Sequence, residues 1–179
     1  MNGHLTLSPL RQDLLIAYLT AAAVVAHLLE AALPGAGPWF KPGVANVFAL
    51  VAFLRLGWKA AAAVTLLRIL TSSMALGMLF TPGFWLSLAG GCGAMGALAL
   101  LRLLPNRLLG PVGISLLAAL AHMAGQIVMA WVWIIGHAGI LSLLPWFLAG
   151  SWFSGIVNGV LTFLVLEQLD RHRDLLTAP

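Results

Sequence analysis

Long, unbroken apolar runs dominate the chain, and short clusters of Pro, Gly and charged residues separate them. Strands of a membrane barrel alternate apolar and polar positions in segments of about ten residues, a pattern missing here. The runs predict six helices, over 13–33, 44–56, 60–80, 84–101, 112–135 and 140–166, followed by a tail over 167–179. Most reach the roughly twenty residues that cross a bilayer at about 1.5 Å per residue. The second is too short to cross comfortably, and Gly57-Trp58-Lys59 separates it from the third. The first break, PGAGPWFKPGVAN at 34–46, holds three prolines and three glycines and stops the first helix. The expected fold is all-α: a single transmembrane domain over 1–179, an integral bundle of six spans.

Composition fixes the solvent. Of 179 residues 61% are hydrophobic and 8% charged, and the mean hydropathy is +1.02. A soluble domain carries about a quarter charged residues, so the medium this chain is built for is lipid. Its pI near 10.3 rests on nine scattered basic residues that form no patch for nucleic acid. The lone Cys92 excludes an internal disulfide and a thiolate metal cluster. The first apolar run is longer than a usual signal core and reads as an uncleaved helix.

Charge placement orients the six spans. Arg11, Arg55, Lys59, Arg102, Arg107, Arg171 and Arg173 then share one side, which the positive-inside rule makes cytoplasmic, with both termini. Lys41 stands alone outside, so the loop at 34–46 is the first outer loop. Trp39, Trp85, Trp131, Trp133 and Trp146 fall near outer helix ends and Trp58 near an inner one, where interfacial anchoring is expected.

Ionisable groups inside a span are costly and point to function. Arg68 stands nine residues beyond Lys59, about 13 Å into the bilayer, and shares a helical face with Thr65 and Ser72. Two readings stand open: neutralisation by Glu30, which ties the bundle together, or capture of an anionic ligand. Glu30 lies near the outer end of the first helix with His27 a turn deeper, and Asn46 begins the second. Ser115, His122 and Gln126 form one polar stripe on the fifth helix, and Asn158 lies midway along the sixth. His122 alone is more often an interhelical hydrogen-bonding group than a ligand, and the stripe as a whole is more informative than any member. By depth, Glu30, Lys41, Asn46, Arg68, His122 and Gln126 fall between the membrane middle and the outer face, as an outward-opening pocket for an anionic or amphiphilic substrate requires. His27 and Glu30 make at most half a metal site, so no metal and no cofactor is expected.

Gly83, Gly90, Gly91, Gly93 and Gly96 allow close contact along the fourth helix. Ala17 with Ala21, and Ala22 with Ala26, give the first helix small-residue ridges, for packing within the bundle or for docking another membrane protein. No nucleotide-binding Gly-rich loop with its lysine is present, so the chain does not energise transport itself. No nucleophile–base pair stands out, and Asp170 and Asp174 read as a solvated tail. The expectation is a protein that is not an enzyme.

The segments KPGVANVFAL, LRILTSS, FTPGFWLSLAGG and GPVGISLLAALAHMAGQ, in this order, resemble the Gx transporter family, also labelled heptaprenyl diphosphate synthase component I. The likeness runs from about residue 14 to 166. That family in turn looks like the substrate-binding S-components of energy-coupling-factor transporters. The resemblance implies a multi-pass protein of a bacterial inner (cytoplasmic) membrane, with an outer-facing pocket covered by the first outer loop. It implies docking of a membrane coupling protein on Ala17, Ala21, Ala22 and Ala26, with energy from partner ATPases and a vitamin-, flavin- or isoprenoid-like ligand. Family association with redox genes leaves open an accessory subunit of a flavin- or quinone-linked complex. The family label leaves open a non-catalytic component of a polyprenyl diphosphate synthase, although the paired Asp-rich motifs of such enzymes are missing here.

Overall fold

Proline sets the start of three helices. Pro9, Pro82 and Pro111 each occupy the first helical turn, where a missing N–H removes no internal bond and φ is already helical. The computed structural model describes residues 8–33, 43–103 and 109–177, and these fold without a strand. The helices are α1 (Pro9–Ala32), α2 (Ala45–Leu56), α3 (Trp58–Ala75), α4 (Pro82–Leu101), α5 (Pro111–Met129) and α6 (Leu144–Thr177). A π-helical turn, Ala130–Ile135, extends α5, and a 3₁₀ turn, Ala138–Leu143, leads into α6. Helix α6 continues through the segment read from sequence as a tail, and α3 stops five residues short of its expected end.

Four segments are long and apolar enough to cross a membrane: Pro9–Ala32, Pro82–Leu101, Pro111–Ile135 and Ala138–His172. Helix α2 has only 12 residues, about 18 Å, and α3 carries Lys59 and Arg68 within 18. The short helix is nonetheless the centre of one half of the fold. Ala45, Val47, Ala49, Leu50, Val51 and Ala52 are all buried, as expected of a helix apolar on every side. It packs between α1, α3 and α6, while α5 stands between α4 and α6. Outward faces remain apolar, including Leu14, Tyr18, Val25 and Leu29 on α1 and Trp152, Phe153 and Phe163 on α6. This is the surface of a membrane protein, for which a bilayer supplies the missing contacts.

Turn chemistry explains how α2 and α3 pack as a tight pair. Gly57 alone separates them, at φ 93°, a conformation that a side chain resists. Its N–H closes α2 on the carbonyls of Ala52 and Phe53. On the other half, glycine lets helices touch through their backbones. A Cβ at Gly93 would fall 2.3 Å from the Ala121 carbonyl oxygen, and one at Gly125 would fall 2.4 Å from that of Ala89. The α4–α5 crossing is therefore closed to any larger residue at these two positions. Gly159 does the same against Val112 between α6 and α5.

The end of α2 is tied to α6. Arg55 donates to Asp170 at 2.5 Å and to the Leu166 carbonyl at 3.2 Å, so Asp170 is a tertiary partner rather than a purely solvated group. Trp58 donates its indole N–H to the Met95 carbonyl at 2.8 Å, fastening α3 to α4.

Candidate functional site

All six helices contribute to one cavity of about 570 Å³, within the range typical of small-molecule sites. Its mouth lies among Ala31, Met78, Gly83, Ala130 and Trp146, at one end of the bundle. Its floor is Leu50, Met95, Leu98 and Ala118. Between mouth and floor runs a polar belt.

Arg68 anchors the belt from α3. The residue is 6% exposed, and Nη2 donates to Oδ1 of Asn46 at 3.3 Å. Its Nε is buried with no hydrogen-bond partner. The guanidinium cannot lose its proton and is expensive to bury unpaired. A buried, partly unsatisfied Arg on a cavity wall has a donor free to meet an acceptor or an anion. Of its expected companions, Thr65 also lines the cavity, whereas the Ser72 hydroxyl turns back to the Arg68 carbonyl at 2.6 Å.

Glu30 makes no direct ion pair with this arginine, although its charge lies near enough to act on the guanidinium across the cavity. Among the described residues the ion pairs are Arg55–Asp170 and Arg171–Glu167. Glu30 instead accepts the Val44 N–H through Oε1 at 2.7 Å. A carboxylate at the start of a helix satisfies a donor with no helical partner and meets the positive end of the dipole. The contact joins the end of α1 to the start of α2.

His122 and Gln126, one turn apart on α5, face the same cavity. Gly90 makes room for the imidazole, since a Cβ there would fall 2.5 Å from Nε2. Gly91, its neighbour, faces Ile69 and Thr65 of α3 instead. Five of the six proposed ligand residues, Glu30, Asn46, Arg68, His122 and Gln126, thus line a single space, and the sixth, Lys41, lies outside the described residues.

Helix α6 supplies a wall that the charge-based reading missed. Ser151, Ser154 and Asn158 project into the cavity from one helical face, and Asn158 Nδ2 donates to Ser154 Oγ at 3.2 Å. The spacing of three and four residues in SWFSGIVN was the available signal. Gly43, at φ 66°, brings the start of α2 against this wall. A Cβ there would meet Asn46 Nδ2 at 3.0 Å and Ser154 Oγ at 3.6 Å. The belt therefore runs from Arg68 through Asn46 to α6.

Aromatic rings frame the mouth. Phe84 lines the cavity and stacks edge-on with Trp85 at 5.2 Å, which in turn meets Trp133 on the π turn at 5.4 Å. Helix α1 presents Ala17 and Ala21 outward, while Ala22 and Ala26 are half-buried. None of these alanines borders the cavity.

A family described as heptaprenyl diphosphate synthase component I matches residues 19–165. No curated protein and no solved structure shows significant similarity to the chain.

Proposed function

The chain belongs to the heptaprenyl diphosphate synthase component I family, and on that premise we propose that it is a substrate-binding membrane subunit. It takes up a small anionic or amphiphilic metabolite of vitamin, flavin or isoprenoid type. Partner ATPases and a membrane coupling protein, docked on the small-residue ridges of α1, supply the energy. The bundle crosses the bacterial inner membrane six times, with both ends cytoplasmic and the cavity open outward. One observation carries the reading: a 570 Å³ cavity whose wall holds a buried arginine with an unpartnered Nε. Arg68 holds the negative group, Asn46, His122 and Gln126 orient the molecule, and Glu30 braces the wall by holding α2. Lys41 belongs to the loop proposed to cover the mouth.

Native mass spectrometry of the gently extracted protein tests this directly. A small molecule should co-purify with the wild type and be lost from a folded Arg68→Ala variant. Equal retention by the two proteins would remove Arg68 from the site.

The family description favours a second reading, a non-catalytic membrane component of a polyprenyl diphosphate synthase. Affinity purification from native membranes separates the two. An ATPase pair with a coupling protein supports uptake, and a soluble prenyl synthase supports the second reading.

A further inference from the structure

The charge inventory of the cavity narrows its ligand. Among the described residues the wall carries one acidic side chain, Glu30, one permanently cationic side chain, Arg68, and two histidines, His27 and His122. Glu30 is already held by the Val44 N–H at 2.7 Å, and no carboxylate lies within ion-pair distance of Arg68. Helix α3 therefore places one fixed positive charge on the wall, hydrogen-bonded to a neutral amide, Asn46, with the Glu30 charge nearby but outside ion-pair distance. In a medium of low dielectric, the open Nε of Arg68 can seat one negative group directly, and the Glu30 charge already on the wall opposes any more. A second or third would stand buried without a counter-ion, which is strongly unfavourable.

Arginine also selects shape. A planar fork of N–H groups matches a carboxylate through two parallel bonds, and Nε is the donor left open. Around it the described belt holds His27 on α1, His122 and Gln126 on α5, and Ser151, Ser154 and Asn158 on α6, none of them a permanent cation. These can bond hydroxyl, amide or carbonyl groups but do not balance further charge as Lys or Arg would. Below the belt Leu50, Leu98 and Ala118 offer an apolar floor.

Resting on the reading of this cavity as a ligand site, we infer that it selects an amphiphile with a single negative charge, a carboxylate seated on Arg68. A diphosphate head group is selected against. Lipid-soluble carboxylic acids of moderate size fit the volume, the fork and the apolar floor together. The family description speaks of a diphosphate, so the head group is the point to test.

Three probes with one hydrocarbon tail isolate it: geranic acid, geraniol and geranyl diphosphate, each titrated against the full-length protein in nanodiscs. Geranic acid should bind at least about tenfold more tightly than the other two, as a charge-assisted hydrogen bond predicts. In Arg68→Gln its affinity should fall to that of geraniol, while geraniol binding stays the same. Tightest binding of the diphosphate, or equal binding of acid and alcohol, overturns the single-charge inference and leaves the cavity as a ligand site. Binding of none of the three, with no co-purifying molecule, overturns both. The ranking in the wild type stands whether or not Arg68→Gln folds.

Discussion

His122 packs against Gly90, where a Cβ would come within 2.5 Å of Nε2 and 2.7 Å of Cε1. The contact is between the tip of a side chain and a backbone, so the imidazole can yield. Gly90→Ala should leave the thermal midpoint in detergent nearly unchanged, because removing glycine from a helix gains about 0.5–1 kcal/mol against the displacement. Ligand retention should drop, since His122 is pushed across the cavity. A variant that loses no ligand would show that the position of His122 is immaterial.

Gly93 and Gly125 present the opposite case. The atoms a Cβ would meet there are the carbonyls of Ala121 and Ala89, on the backbone of the facing helix. Helices must separate to admit a methyl group, which costs about 1–3 kcal/mol by analogy with overpacked cores. Gly93→Ala and Gly125→Ala should each lower the thermal midpoint clearly more than Gly90→Ala. Equal midpoints for all three would mean the α4–α5 crossing is slack.

Glu30 illustrates what the sequence could and could not convey. Its depth near Arg68 made an ion pair reasonable, yet the carboxylate closes the start of α2 through Val44. That start has no side-chain cap of its own, and no local pattern reveals that a residue fourteen positions earlier supplies one. Arg68, Asn46, His122 and Gln126 were legible because polar groups in a lipid-facing sequence stand out against their surroundings. Ser151 and Ser154 were not, since serine is common at helix contacts and their shared face appears only once α6 is aligned with the cavity. The glycines of α4 announced close packing, which holds at Gly90, Gly91 and Gly93 but not at Gly96, where a Cβ would meet open space, and which neighbour each admits is tertiary information.

Removal of this cap gives a graded expectation. Glu30→Ala should destabilise the protein by about 1 kcal/mol, the usual cost of losing a helix cap. Glu30→Gln keeps an acceptor oxygen and loses only the charge, so its cost should be smaller. Thermal unfolding of the two variants beside the wild type decides it, and a Gln variant as unstable as Ala would assign the effect to charge alone.

At the other end of α2, Arg55 and Asp170 offer a pair for a double-mutant cycle. The Arg55 side chain is 17% exposed and that of Asp170 43%, so solvent screening limits the coupling to about 1 kcal/mol or less. Arg55→Ala should cost more than Asp170→Ala, because Arg55 also donates to the Leu166 carbonyl. Neither residue borders the cavity, and ligand retention should be unaffected by either change.

The same pair bears on how many times the chain crosses the membrane. Helix α2 is only 12 residues long, yet Arg55 at its end reaches Asp170 near the end of α6. Whichever side of the bilayer holds residue 170 therefore also holds the α2–α3 turn at Gly57. A re-entrant α2–α3 hairpin returning to its starting face would leave that turn short of the far side. With six spans, Lys59, which is exposed just beyond the turn, should be cytoplasmic, and Gly136, in the turn before α6, should be outside. In a Cys92→Ala background, Lys59→Cys should react with an impermeant maleimide only in inside-out vesicles, and Gly136→Cys only in right-side-out ones. Labelling of position 59 from outside would reduce the count to four spans and make the α2–α3 pair a re-entrant wall of the cavity.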